Sequence, residues 1–191
     1  MTRKIAVLVG SVRKDSFSRK IARNIAALAP KGYDFEEIDI SKVGFYNQDL
    51  DGHEPAEWLE LRGRIASADA VLFVTPEYNR SLPGVLKNAI DIGSRPYGNS
   101  VFDGKPAAVV SNSPGNIGGF GAHHHLRQML AFLNMPTLQQ PEMYLSSVGD
   151  WFDDAGKVKS DQTREFLAGF AKAFTGWIEK QIAKDKVSEA A

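Results

Sequence analysis

Four polar residues follow the first apolar run of the chain at a spacing that suits binding of a single anion. They are Ser11, Arg13, Ser16 and Ser18. Residues 5–9 are all apolar, as in a buried parallel strand, and a helical pattern of apolar residues comes after the polar turn. Serine hydroxyls and the N–H groups at a helix N-terminus donate hydrogen bonds, while arginine adds a planar cation. The turn therefore predicts a phosphate site, although a serine before a helix is also an ordinary N-cap and a loop arginine is often simply solvated.

The turn lacks the spacing of two familiar nucleotide-binding loops. It matches neither G-x-x-x-x-G-K-[ST] nor G-x-G-x-x-G. Neither triphosphate chemistry nor the usual dinucleotide fingerprint is supported by these residues.

Two further loops rich in proline and glycine follow later apolar runs. Residues 75–84 contain two prolines and a glycine, which favour a fixed backbone shape. Residues 111–121 contain four glycines, which allow the backbone to approach a ligand closely. Each loop alone is equally compatible with a stiff turn or a flexible connector. Together with the serine turn, they predict a site for a phosphate joined to a flat ring.

The elements that must position these loops alternate between strand and helix along the chain. Strands are predicted at residues 5–9, 33–40, 70–74 and 106–110, and partly within 137–144. This alternation predicts an α/β fold with helices on both faces of a parallel sheet. Five strands in so short a chain fit a flavodoxin-like three-layer α/β/α sandwich with a five-stranded parallel sheet of order 2-1-3-4-5 better than a six-strand Rossmann sheet. Ligands bind at the carboxyl ends of such strands, where the three loops lie.

The expected domain organisation is simple. One domain is predicted over residues 1–186, followed by a disordered tail at 187–191. The apolar stripe of a long last helix, from Phe166 to Ile178, is assigned to the core.

Composition argues against several functional classes. The 191 residues are 43% hydrophobic, enough for one sizeable core. Lys plus Arg and Asp plus Glu number 23 each, so the basic excess typical of nucleic-acid-binding proteins is absent. With no cysteine, a thiolate nucleophile and a cysteine-held iron–sulfur cluster are excluded. No apolar run approaches the roughly 18 residues of a membrane span, so a cytoplasmic protein is expected.

The loop sequences resemble the NADPH-dependent FMN reductase family, and within it the quinone and chromate reductases. The resemblance rests on residues 10–20, on Thr-Pro-Glu-Tyr-Asn at 75–79, on Leu-Pro-Gly-x-Leu-Lys-Asn-Ala-Ile-Asp at 82–91 and on Leu-Arg-Gln at 126–128. The second and third motifs are more specific than the serine turn. That turn departs from the phosphate loop of true flavodoxins by carrying Arg13.

The resemblance implies bound FMN, with NADPH or NADH as co-substrate and no metal. FMN itself would carry out the chemistry, so no catalytic side chain is implied. The FMN phosphate would contact Ser11, Arg13, Ser16 and Ser18, the ring would lie against Pro76, Glu77, Tyr78 and Asn79, and the pyrimidine edge would face Ser113, Pro114 and Gly115.

The implied activity is hydride transfer from NAD(P)H to FMN, then transfer of two electrons to a small acceptor, in a ping-pong cycle. The acceptor would be a quinone, or chromate and other metal oxyanions, azo compounds or nitro compounds. Arg80 and Arg95 are candidate contacts for an NADPH phosphate or an anionic acceptor, and plain surface charge is the alternative.

The resemblance also implies a homo-oligomer, either a dimer or a tetramer. The candidate subunit contacts are Asp49, Leu50, Arg127 and Glu142. The histidines at 123–125 do not predict a metal site, since adjacent residues of a helix point in different directions.

Two other activities remain alternatives: a flavodoxin-type one-electron carrier and a flavin reductase that releases reduced FMN to a partner. A non-redox binding module is a third. The zero net charge disfavours the carrier, because flavodoxins are typically acidic. The sequence does not choose among acceptors, between NADH and NADPH or between dimer and tetramer, and it assigns no role to the histidines.

Overall fold

Strands and helices alternate along the structure, a computed structural model that describes residues 2–189 and the side chains of residues 2–184. The strands are β1 Arg3–Val9, β2 Tyr33–Ile38, β3 Ala70–Pro76, β4 Ala107–Asn112 and β5 Met143–Leu145. The helices are α1 Phe17–Leu28, α2 Ala56–Ala66, α3 Gly84–Gly93, α4 Phe120–Phe132 and α5 Asp161–Glu189.

The strands form one parallel sheet of order β2-β1-β3-β4-β5, which confirms the predicted fold. Side chains alternate across the sheet, so β1 supplies both halves of the core. Ile5 and Val7 pack with residues of α1 and α5, whereas Ala6 and Leu8 pack with residues of α2, α3 and α4. Because helices cover both faces, nearly every residue of β1, β3 and β4 is buried, which explains their continuous apolar runs.

Helix α4 begins at Phe120, directly after Gly118 and Gly119, which both have left-handed backbone conformations. The last strand is the element that differs from the sequence prediction. Strand β5 has only three residues, because Pro136 and Pro141 lack the N–H group that a longer strand would donate. Upstream of it, Thr137 forms a single bridge to β4.

The C-terminal helix packs on α1 and completes one layer. Phe170 and Phe174 are fully buried, as predicted, but Phe166 is 45% exposed. The tail predicted at 187–191 overlaps the end of α5, and residues 190 and 191 lie outside the described residues. Among the described residues, no helix combines the length and the apolar composition needed to cross a membrane.

Candidate functional site

The turn after β1 leads directly into α1, and Ser16 marks the junction. Its Oγ accepts a hydrogen bond from the Arg19 N–H at 3.2 Å, so Ser16 is the N-cap of the helix. The N–H groups of Phe17 and Ser18 come next and have no carbonyl partner within the helix. The turn thus presents unpaired donors at the positive end of a 12-residue helix.

Ser11, Arg13 and Ser18 line a cavity of about 320 Å³ at the carboxyl ends of β1, β3 and β4. The two serines are only 5% and 1% exposed. The Arg13 guanidinium lies 5.7 Å from the centre of the Phe17 ring and forms no ion pair within residues 2–184. Its charge is therefore available to an anion in the cavity.

Arg19 supports this turn from behind, a role that the sequence analysis missed. Its guanidinium pairs with Glu37 of β2 at 2.6 Å and donates to the carbonyl oxygens of Arg13 at 2.9 Å and Ser11 at 3.4 Å. No local sequence signal indicates this role, since the anchoring carboxylate comes from the next strand. The effect is to fix the backbone that carries the Arg13 side chain.

The loop after β3 forms a tight turn at residues 78–81. The Tyr78 N–H donates to the Ser81 carbonyl at 2.8 Å, and the Ser81 N–H donates back at 3.0 Å. Asn79 and Arg80 occupy the tip with φ values of 51° and 64°, the left-handed pair that two-residue hairpin turns require. Tyr78 lines the cavity and remains 50% exposed, so one side of the site is open to solvent.

Glu77 joins this loop to α4. One carboxylate oxygen accepts from the Ala122 N–H at 3.1 Å, and the other accepts from Arg80 at 3.0 Å. Burial by itself would raise the pKa of Glu77, but these hydrogen bonds, together with one from the Gly121 N–H, lower the pKa below its ordinary value. Gly121 permits the contact, because a Cβ there would lie 2.6 Å from the Arg80 carbonyl oxygen.

The positive end of α4 is therefore already satisfied by the Glu77 carboxylate. The carboxylate caps the helix and holds the loop after β3 against it.

The third loop, residues 113–119, is folded against β5. The Ser113 N–H donates to the Leu145 carbonyl at 2.9 Å, and the Ser111 hydroxyl donates to the Gly118 carbonyl at 2.8 Å. Gly118 has a φ of 64°, and a Cβ there would lie 2.7 Å from the carbonyl carbon of Tyr144. These contacts hold Ser113 and Pro114 at the cavity wall.

The cavity brings most of the predicted residues together. Those that line it are Ser11, Arg13, Ser18, Pro76, Glu77, Tyr78, Ser113 and Pro114. Ser16 caps α1, Asn79 lies at the exposed turn tip, and Gly115 contacts Ser113 Oγ through its N–H, so these three do not line it. Phe17 and Asn112 line it without having been predicted. Asn112 could have been predicted as a site residue, because it is a polar residue at the carboxyl end of an apolar strand.

The donor set fits the phosphate and flat ring of FMN. Two buried hydroxyls, one guanidinium without an ion pair and the first N–H groups of α1 all suit a dianion. The one carboxylate in the lining, Glu77, is held by Arg80 and by α4 and so repels an anion less than a free one. Pro76 and Tyr78 supply the flat, partly apolar wall that a ring system requires.

Arg80 and Arg95 lie outside this cavity lining. Arg80 forms the ion pair with Glu77. Arg95 lies over the ring of Tyr46, 5.8 Å from its centre, and lines a separate groove of about 710 Å³ between α3 and α4. The structure therefore does not gather these two arginines at one point.

The candidate subunit contacts lie on other surfaces. Asp49 and Leu50 belong to a short 3-10 helix after β2. Arg127 donates to the Leu138 carbonyl at 3.0 Å and to the side chain of Gln139 at 2.7 Å. Glu142 accepts from the Tyr144 hydroxyl at 2.9 Å, so within the described chain it does not pair with Arg127.

The three adjacent histidines have three different environments. His123 is 1% exposed, and neither ring nitrogen has a hydrogen-bond partner within the described residues. His124 lies 3.1 Å from the Tyr144 hydroxyl, and His125 lies 3.0 Å from the Ser81 hydroxyl. Over the side chains of residues 2–184, no group of three or more histidine, aspartate or glutamate side chains is arranged to hold a metal.

Comparison with known proteins places this arrangement in a family. The family model for NADPH-dependent FMN reductases matches residues 3–150. A protein named quinone reductase from Pseudomonas putida is 53% identical over 176 residues, which cover 92% of this chain and 94% of the relative. A 2-hydroxy-1,4-benzoquinone reductase from a Burkholderia species is 44% identical over 178 residues, covering 93% and 97% of the two chains.

A solved structure agrees with these sequence matches. FerB of Paracoccus denitrificans, described as a flavoenzyme NAD(P)H:(acceptor) oxidoreductase, superposes with a TM-score of 0.89 at 42% identity, covering 94% of this chain and 99% of that one. The family-model match over residues 3–150 includes the three strand ends that build the cavity, and the cavity's donor set suits FMN. This chain belongs to the NADPH-dependent FMN reductase family, whose members use FMN and NAD(P)H.

Proposed function

We propose that this protein transfers reducing equivalents from NAD(P)H, by way of bound FMN, to a quinone. The observation that carries the proposal is the meeting of a phosphate-binding turn and two rigid loops at one cavity with an exposed side. The acceptor class is supported by relatives named quinone reductase and 2-hydroxy-1,4-benzoquinone reductase.

In this proposal the residues of the turn hold the cofactor phosphate. Arg13 provides the opposite charge, Ser11 and Ser18 donate from buried hydroxyls, and Ser16 acts indirectly by starting the helix. Arg19 keeps the turn rigid. A charge-assisted hydrogen bond contributes about 1.5–3 kcal/mol, so a few such contacts anchor the cofactor firmly.

The two other loops hold the ring. Pro76 and Tyr78 would lie along one side of it, and Ser113 and Pro114 would face its pyrimidine edge. Bound FMN supplies the hydride and electron-transfer chemistry, and the protein supplies orientation and electrostatics. Glu77, tied to α4 with a lowered pKa, stays ionised and is not a proton donor.

We propose a ping-pong order, in which NAD(P)H and the acceptor use the same open side of the cavity in turn. The half-exposed Tyr78 borders this opening. Because the side is open, chromate and other metal oxyanions, azo compounds and nitro compounds are further candidate acceptors. A reductant supplied as NAD(P)H fits a cytoplasmic location.

Purified protein tests the proposal directly. A flavin absorbance spectrum is expected, and mixing with NADPH or NADH in a stopped-flow instrument should bleach it at least as fast as steady-state turnover. Steady-state rates with a quinone, chromate and free FMN then rank the acceptors. Bleaching slower than turnover would refute the ping-pong order, and a protein that retains no flavin would refute the cofactor assignment.

We further propose a homo-oligomer, dimer or tetramer. The groove between α3 and α4 is bordered by the half-buried Met129 and by Phe132, which is 84% exposed, and a second copy would remove this apolar surface from water. Asp49 and Leu50 would then approach the neighbouring site, and Arg127 and Glu142 would be available across subunits. Light scattering after size exclusion is expected to give at least twice the chain mass of 21.0 kDa, and a monomer would contradict this.

A further inference from the structure

Asn112 links the three elements that meet at the cavity. It is the last residue of β4 and is 2% exposed. Its Nδ2 lies 2.8 Å from Ser18 Oγ, on α1, and 3.1 Å from the carbonyl oxygen of Thr75, on β3. Both Asn112 and Ser18 line the cavity.

These contacts fix the direction of each hydrogen bond. The Thr75 carbonyl oxygen can only accept, so the side-chain atom facing it must be the amide NH₂ group rather than the amide oxygen. An amide nitrogen has two hydrogens and no acceptor capacity. The Ser18 hydroxyl oxygen must therefore be the acceptor of the second hydrogen.

The consequence concerns the hydrogen of the Ser18 hydroxyl. Since the oxygen of Ser18 accepts from Asn112, its own hydrogen remains free to donate. No protein acceptor for it exists within residues 2–184, and the residue borders the cavity beside Ser11 and Arg13. A phosphate group with two negative charges offers acceptors only, so it matches a hydroxyl that can only donate.

We propose that Asn112 is a positioning residue for cofactor selection. Because Ser18 Oγ accepts a hydrogen bond from Asn112, the Ser18 hydroxyl hydrogen is left to donate to the phosphate of the bound flavin. The chain thereby favours FMN over riboflavin, which has the same ring but no phosphate. This inference rests on the proposed flavin site and adds a residue to which neither the sequence motifs nor the comparisons assign a role.

The test measures the affinity of the flavin-free full chain for FMN and for riboflavin by fluorescence titration. The variants are Asn112→Ala, Ser18→Ala and the double variant, with Asn112→Asp as a substitution of matched shape. Thr175→Ala is the control, because it removes a buried hydroxyl that bonds to carbonyl oxygens within α5, away from the cavity lining. Circular dichroism verifies that each variant is folded.

The ratio of FMN affinity to riboflavin affinity is the decisive quantity. It should fall roughly tenfold in Asn112→Ala and in Ser18→Ala, the scale of one charge-assisted hydrogen bond, and fall no further in the double variant. Asn112→Asp should lower it more, because a carboxylate accepts the Ser18 hydrogen and repels the phosphate. Thr175→Ala should leave the ratio within about twofold of wild type.

Other results would overturn the inference. Asn112 does not act through the Ser18 hydroxyl if Asn112→Ala lowers the affinities for FMN and riboflavin by the same factor. The same conclusion follows if its effect on the affinity ratio adds fully to that of Ser18→Ala. In either case the flavin site stands. A wild-type chain that binds neither flavin would instead refute the proposed function, and the inference with it.

Discussion

His123 predicts a specific dependence of stability on pH. The ring is buried in the first turns of α4, its nitrogens have no partners in the described chain, and the Tyr144 ring packs edge-on against it at 4.5 Å. Desolvation, with smaller contributions from the nearby charges of Arg127 and His124, lowers the pKa of His123 from 6.5 to about 3. The imidazole therefore stays neutral in the folded protein at pH values where the unfolded chain binds a proton.

The direction and size of the effect follow from proton linkage. Above pH 6.5 both states carry neutral imidazole, and the folded state incurs no penalty. As the pH falls from 6.5 towards 3, only the unfolded state gains the proton, so the free energy of unfolding declines. At 1.36 kcal/mol per pH unit, His123 accounts for a loss of about 2 kcal/mol between pH 7 and pH 5.

The perturbation is His123→Leu, which keeps an apolar group of similar size and removes the titration. Urea unfolding at pH 7, 6 and 5, with saturating FMN throughout, measures the free energy of unfolding of both proteins. At pH 7 the free energy of unfolding of the variant should equal or exceed that of wild type. By pH 5 the difference in favour of the variant should have grown by about 2 kcal/mol. Other titrating groups are shared, so they cancel in this difference.

A matched control uses the exposed neighbour His125, whose ring bonds to Ser81. The difference in unfolding free energy between His125→Gln and wild type should change by less than about 0.5 kcal/mol from pH 7 to pH 5. The reasoning is refuted if the stability difference between His123→Leu and wild type is the same at pH 7 and pH 5.

Three further predictions test the cavity, the helix cap and the core. Arg13→Ala should weaken FMN binding by about 1.5–3 kcal/mol in equilibrium titrations, while Lys14→Ala, which removes an exposed charge outside the cavity lining, should change it little; equal losses would reject the phosphate contact. Glu77→Ala should lower the free energy of unfolding by about 1–2 kcal/mol, because it removes the carboxylate that accepts from the first N–H groups of α4. The pKa of Glu77 is lowered in the folded protein, so the difference in unfolding free energy between variant and wild type should shrink as the pH falls below 4.5. A difference that stays constant with pH would contradict the capping role of Glu77. Phe174→Ala should cost about 3–5 kcal/mol in urea unfolding, whereas Phe166→Ala, on the exposed side of the same helix, should cost less than about 1 kcal/mol.

The sequence by itself determined the fold and the positions of the three loops. Buried parallel strands must be apolar throughout, so β1, β3 and β4 are visible as continuous runs. Alternation with helices predicts a parallel sheet, and five strands in a chain of this length favour the order 2-1-3-4-5. Proline and glycine punctuate the loops for local steric reasons, which is why the three loops are visible in the sequence. The resemblance to the family implied residues 76–78 and 113–114 as the ring site, and these residues line the cavity.

Only the tertiary structure decided which polar groups are free to bind a ligand. Glu77 caps α4, Arg19 hydrogen-bonds the turn after β1, and Asn112 donates to the Ser18 hydroxyl. Each role depends on a partner 18 to 94 residues distant along the chain. Hydrogen bonds form between groups brought within about 3 Å by packing, and local residue spacing does not encode that proximity. The sequence thus specified the residues available for phosphate and ring binding, and packing divided them into those that face the cavity and those that hold the others in place.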